Sequence, residues 1–170
     1  VDEKGRALVY REYDAPDKTI GQACDILLSL SAEEDIELWL APPDLWNRDQ
    51  ITGKSRAIHF EEYGIPLTKT LNRLADGCAA MKEWLLPVGE ENKASLMFLE
   101  GAAPNAYRCL QKIQKDKRNP NVYAKEPHDL THDVDSLRCF CVYWTSPASP
   151  SKRITDNKWT EDMYEDYQIR

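Results

Sequence analysis

The sequence predicts an α/β fold, and two observations carry that prediction. Short runs of β-branched, aromatic and aliphatic residues alternate with longer stretches whose apolar residues recur at helical spacing. Their order, strand–helix–strand–helix–strand–helix, favours a layer of parallel strand pairings with helices packed on it. The bulk numbers agree: 170 residues, 42% hydrophobic and 30% charged, suffice for one domain with a real core. No apolar run approaches the length of a membrane span and no signal-peptide pattern opens the chain, so no membrane association is expected.

Each element has its own reason. "RALVYREY" (6–13) is rich in β-branched and aromatic residues and reads as a strand. "KTIGQACDILLSLS" sets Ile20, Ala23, Cys24, Leu27 and Leu28 on one face, which predicts a helix capped by Thr19 or Asp17. "DIELWLAPP" is an apolar run halted by two prolines, a buried strand ending at Ala41 with Asp44 just beyond. A polar connector with one amphipathic segment follows. "IPLTKTLNRLADGCAAMKEWLLP" is the longest helix candidate, with Leu67, Leu71, Leu74, Cys78, Met81 and Leu85 in step. Gly77 costs such a helix about 1 kcal/mol against alanine, which points to a close approach there. "ASLMFLEG" reads as a buried strand and "PNAYRCLQKIQKD" as a helix with Tyr107, Leu110 and Ile113 inward. On pattern alone "SLRCFCVYW" reads as a strand. The domain is therefore placed at 1–144, with a polar, acidic tail at 145–170.

Charge and cysteine usage narrow the chemistry. A net charge of −7 argues against a general nucleic-acid-coating role. It leaves room for a cleft where acids hold a divalent ion and a few cations meet phosphate. Five cysteines are an odd number, set mostly on apolar stripes, which favours buried thiols in a reducing cytosol over disulfides.

Three sites compete. His128 and His132, four apart, with Cys139 and Cys141 suggest zinc, but a C-x-C pair on a helix points its sulfurs apart. Cys78 or Cys109 as a nucleophile is disfavoured because both lie on apolar helix faces, where thiols are usually inert. The third site uses oxygen ligands. His132 and Asp135 are three apart, neighbours on one helix face, and Asp44 follows a strand's C-terminal end, where α/β sheets tend to place ligands. Carboxylates with a histidine suit Mg²⁺ or Mn²⁺. The plainer alternative, favoured by spacing alone, makes Asp44 a turn cap and Asp135 a helix cap.

Taken together, several segments resemble the C-terminal nuclease domain of the tailed-phage terminase large subunit. They are "LVYREYDAPDKTIGQACDILL", "LAPPDLWNRDQITGKS", "FEEYGIPLTKTLNRLADGCAAMKEWL" and "EPHDLTHDVDSLRCFC". The resemblance runs in family order from Gly5 to Cys141. It implies an RNase H-like mixed sheet flanked by helices, and a metal-dependent endonuclease that cuts concatemeric double-stranded DNA for a phage or prophage. Asp44 and Asp135 match metal ligands, with His132 either a ligand or a proton shuttle. The implied cofactor is a pair of Mg²⁺ or Mn²⁺ ions, since two ions about 3.5–4 Å apart can activate water and stabilise the leaving oxygen. Repulsion between clustered carboxylates implies weak ion binding without DNA, on the order of millimolar. Lys54, Lys69 and Arg73 flank the site as candidate phosphate contacts. Implied partners are the terminase ATPase domain, the small terminase subunit and the portal, in the cytoplasm of a bacterial host. The resemblance also makes "SLRCFCVYW" part of a helix.

The chain departs from the family pattern at its start. The family's first two strands and first catalytic aspartate precede "GRALVYREY", and Asp2 is in the wrong place to replace that acid. In the family strand order 3-2-1-4-5 the two strands lie in mid-sheet, so residues 6–13 are expected to lose their neighbour and expose backbone groups. A shortened gene, proteolysis, or strands supplied by another chain through self-association would each account for this. "ITGKS" lacks the upstream glycine of a P-loop, so no ATPase motor is expected here. The rival expectation is a catalytically inactive module that acts through contacts within the packaging machine.

Overall fold

The computed structural model describes residues 1–71, 73–88 and 92–144, so the tail expected at 145–170 lies outside the described residues. Within them the chain is mixed α/β. The strands are β1 (Ala7–Val9), β2 (Trp39–Ala41), β3 (Leu67–Lys69), β4 (Pro87–Val88), β5 (Lys93–Ala94) and β6 (Leu96–Phe98). The helices are α1 (Ile20–Leu30), α2 (Arg56–Glu62), α3 (Leu74–Leu85), α4 (Pro104–Lys112) and α5 (Thr131–Tyr143). Short 3-10 turns at Pro43–Trp46 and His128–Leu130 precede α2 and α5.

The strands form three separate pairs. β1 runs parallel to β6, β2 runs parallel to β3, and β4 pairs antiparallel with β5. The parallel pairings were expected; a continuous sheet is not what the described residues form. Nor is β1 left without a neighbour. Ala7 N–H donates to the Ser95 carbonyl at 2.7 Å and Leu99 N–H to the Val9 carbonyl at 2.9 Å, so β6 takes up one edge.

Two elements differ from their sequence reading for clear reasons. The helix expected to start before Leu67 begins at Leu74, because residues 67–69 pair with β2 in register Trp39↔Leu67 to Ala41↔Lys69. Thr70 locks the end of that pairing, donating both N–H (2.9 Å) and Oγ1 (3.1 Å) to the Ala41 carbonyl. Pairing with a distant strand outweighs the local helical period there. "SLRCFCVYW" is helical up to Tyr143, with Thr131, Val134, Arg138 and Cys141 buried along one stripe. Its apolar residues come too thickly for the period to show, which is how a helix buried on several sides reads.

The core lies where α3, α4 and α5 meet β6. Trp84, Val134, Cys109 and Cys141 are fully buried, and Met81 and Leu96 pack with them. Trp84 stacks at a tilt on Phe140, with centroids 5.2 Å apart, and its Nε1–H donates to the Trp144 carbonyl at 3.0 Å. Each large apolar side chain buried there contributes roughly 1.5–3 kcal/mol. In α4 the buried residues are Ala106 and Cys109; Tyr107 is half exposed, its ring edge-on to Phe98 at 5.6 Å, not inward as expected.

Side chains fasten the segment after β1 to this core. The Glu12 carboxylate accepts from the Asn105 (3.0 Å) and Ala106 (2.9 Å) amides, satisfying otherwise unpaired donors at the start of α4. Thr19 caps α1 in a reciprocal box with Gln22, as one of the two expected caps. Gly21 brings α1 close to the end of α2: a Cβ there would lie 2.8 Å from the tip of the Tyr63 ring, which would have to shift.

Candidate functional site

The two candidate acids come from different elements and are held very differently. Asp44 sits in the Pro43–Trp46 turn just past the end of β2, where the two prolines stop the strand. Its backbone carbonyl accepts from Asn47 N–H at 3.1 Å, and its exposed carboxylate has no partner among the described residues. The turn-cap alternative therefore does not describe its side chain.

Asp135 occupies the second turn of α5, so it is not a helix cap either. Its Oδ1 takes three donors: the Tyr123 hydroxyl, Arg138 Nε at 3.0 Å and Arg138 Nη2 at 2.9 Å. Arg138 Nε also donates to the Tyr123 oxygen at 3.0 Å, closing a triangle. Arg138 is only 4% exposed while Asp135 is 45% exposed, so the carboxylate is the solvent-facing corner of a buried network. These three contacts all fall on Oδ1. Burial, then the hydrogen bond to Asp135, pushes the Tyr123 phenol well above its ordinary range, so it stays a donor. Burial works against the Arg138 charge, yet Tyr123 and Asp135 hold its pKa above the usual value.

Gly77 makes this network possible. A Cβ there would lie 2.6 Å from Arg138 Cγ and 2.7 Å from Cδ, so the arginine stem crosses α3 where only hydrogen fits. The close approach that the mid-helix glycine implied is thus the path of Arg138.

One buried sulfur ties the two acids together. The Cys139 thiol is raised first by burial; Thr70 and Arg138 oppose the rise, and the charges of Asp135 and Asp44 both add to it. Both acids are within electrostatic reach of this thiol, where α5 packs against β2. All five cysteines are free and buried. Burial raises the Cys24, Cys78 and Cys109 thiols as well, and pushes Cys141 up to about 12. Thiols so placed stay protonated near neutrality.

His132 lies exposed on the first turn of α5, its ring edge-on to His128 with centroids 4.5 Å apart. It makes no hydrogen bond to Asp135. Lys69 lies opposite Ala41 in the β2–β3 register, and its ammonium sits 5.7 Å from the Trp46 ring centroid, beside the turn that bears Asp44. Lys54 is in an ion pair with Glu62, whose other oxygen lies 3.2 Å from His59 Nδ1. The bond from Lys54 is the main cause holding the Glu62 carboxyl below its ordinary range. Arg73 is exposed at the N-cap of α3.

Mg²⁺ and Mn²⁺ take several oxygen ligands, and carboxylates suit them. The number falls short. Among the described residues no three His, Cys, Asp or Glu side chains gather so as to hold an ion, so these residues do not make a complete metal site. Tyr123 and Arg138 are the site residues that sequence reading missed. The D-x-x-R spacing of Asp135 and Arg138 signals an i,i+3 pair once the segment is known to be helical. Tyr123 gives no local signal, because it arrives from a loop twelve residues upstream of Asp135. No helix among the described residues is long and apolar enough to cross a membrane.

No protein-family model, curated protein or solved structure matches this chain.

Proposed function

We propose that this chain is the nuclease portion of a terminase-type DNA-packaging enzyme, with an RNase H-like layer and double-stranded DNA as substrate in a bacterial cytoplasm. Asp44 and Asp135 contribute two of the carboxylates for Mg²⁺ or Mn²⁺, assisted by His132. The single observation that carries the proposal is that α5, which bears Asp135, packs against β2, and Asp44 stands in the turn just past the end of that strand, although the two acids are 91 residues apart in sequence. Further support comes from the parallel pairing of β2 with β3, with Asp44 just past the end of β2 and Lys69 and Trp46 beside it. The role of this chain's residues is positional: Arg138 and Tyr123 bind Oδ1 of Asp135 and fix the orientation of its carboxylate. The incomplete ion site favours a second reading, a non-catalytic module of the packaging machine.

Plasmid nicking separates the two. In Mn²⁺ the full chain is expected to convert supercoiled to open-circular DNA, with Asp135→Asn and Asp44→Asn each slower by about a hundredfold or more. Equal cutting by all three proteins, or none by the parent chain, removes the catalytic reading and leaves the module.

A further inference from the structure

We infer that the loop of residues 47–55, with the first residue of α2, is a DNA-contacting wedge, in which Ile51 packs against base edges while Arg48 and Arg56 meet flanking phosphates. The inference rests on the DNA-cleaving reading above and names the part of the surface that grips the duplex.

Ile51 is 94% exposed, the most exposed of the large apolar side chains among the described residues. A single exposed aliphatic residue is ordinary on a protein surface. What distinguishes this one is the rigidity of its support. Asp49 Oδ1 accepts from Ile51 N–H (2.9 Å), Thr52 N–H (2.8 Å) and Thr52 Oγ1 (3.2 Å). Asp49 N–H donates to the Lys54 carbonyl and Gly53 N–H to the Asp49 carbonyl, each at 2.9 Å. Gly53 takes the left-handed conformation (φ +67°) that the turn requires, and Arg48 bridges Ser55 across the base. The loop therefore holds its apolar tip in one place before any partner arrives, which lowers the ordering cost of binding.

Charge selects the partner. Residues 47–56 carry three cations, Arg48, Lys54 and Arg56, against the single carboxylate of Asp49, in a chain of net charge −7. Asp49 is held below its ordinary range, chiefly by the Thr52 and Ile51 amides that its carboxylate accepts. Lys54 is engaged by Glu62, whereas Arg48 and Arg56 are exposed and make no ion pair among the described residues. Open guanidinium groups beside an apolar tip match a duplex: cations neutralise phosphates, and aliphatic wedges seat against base steps. The loop follows directly on the turn that bears Asp44.

Fluorescence anisotropy with a labelled DNA duplex tests this, using the full chain at low salt. Ile51 touches almost nothing, so its replacement leaves the fold intact. Ile51→Ala is expected to weaken binding about tenfold with an unchanged salt slope. Arg48→Ala and Arg56→Ala should each lower the slope of log K against log salt by about one. Leu99→Ala, at an exposed apolar site elsewhere, should bind as the parent does. If the parent binds duplex and the three loop variants match it, the wedge is overturned and the nuclease reading survives. If the parent binds no duplex, both fail. If Ile51→Ala instead turns an oligomer into a monomer on sizing, with duplex binding unaltered, the loop is a protein contact and the proposal is overturned.

Discussion

Asp135 and Asp44 are both acids at the junction of α5 and β2, but one is locked and the other is open. Asp135 belongs to the packed half of the molecule, where α3 and α5 bury Arg138 and the Tyr123 hydroxyl closes the network. Asp44 belongs to the thin half, on a short turn between two prolines and an exposed loop. The difference teaches that an acid can be poised in two ways. Asp135 is a counter-ion whose removal the fold must feel, whereas Asp44 is a free charge whose removal only a ligand would feel.

The largest expected effect breaks the locked side. Asp135→Ala leaves the buried guanidinium without its counter-ion, and a loss of about 3 kcal/mol is expected in urea unfolding. Solvent around the half-exposed carboxylate trims the upper end of that range. Stability equal to the parent's would show that Arg138 does not depend on this pair. Next comes Gly77→Ala. In an open helix it would gain about 1 kcal/mol. Here the new Cβ meets the Arg138 stem, and a loss of about 2 kcal/mol in thermal melting is expected. Unchanged or raised stability would mean that Arg138 takes another path.

Smaller effects sharpen the open side. Asp44→Asn should change stability by less than about 0.5 kcal/mol, as surface substitutions usually do. A larger loss would reveal a partner for that carboxylate. The pH response of the neighbouring loop is subtler still. Asp49 is depressed in the folded chain, so its contribution is present above its unfolded pKa and is lost as pH falls through the folded value. Protection of the Ile51 and Thr52 amides, measured against the intrinsic exchange rate at each pH, should therefore persist from neutral pH downward and fall only on acidification below the ordinary aspartate value of 3.8. Exchange that is already fast at neutral pH would show the loop untied.

Much of the frame was legible from pattern because its signals are local. The α1 stripe with its Thr19 cap, the proline-halted β2 and the buried β6 all depend on residues close in sequence. Pattern failed where distant pairing decides the outcome. Leu67 fits a helical repeat but is claimed by β2, and the "SLRCFCVYW" run is too uniformly apolar to show a period. At the candidate site, Asp44 was visible as an acid beyond a strand end, and Gly77 announced a close approach without naming what came close. The Tyr123–Asp135–Arg138 triangle needs a loop folded back on a helix, which no spacing encodes.

Titrating Mn²⁺ into ¹⁵N-labelled protein tests the shared-rim claim most directly, because the paramagnetic ion broadens the amides nearest to it. The signals of Asp44 and Asp135 should fade together, ahead of other acidic residues, at metal concentrations on the order of millimolar. Fading of only one of the two, or fading centred on a different acidic surface, would contradict a common site.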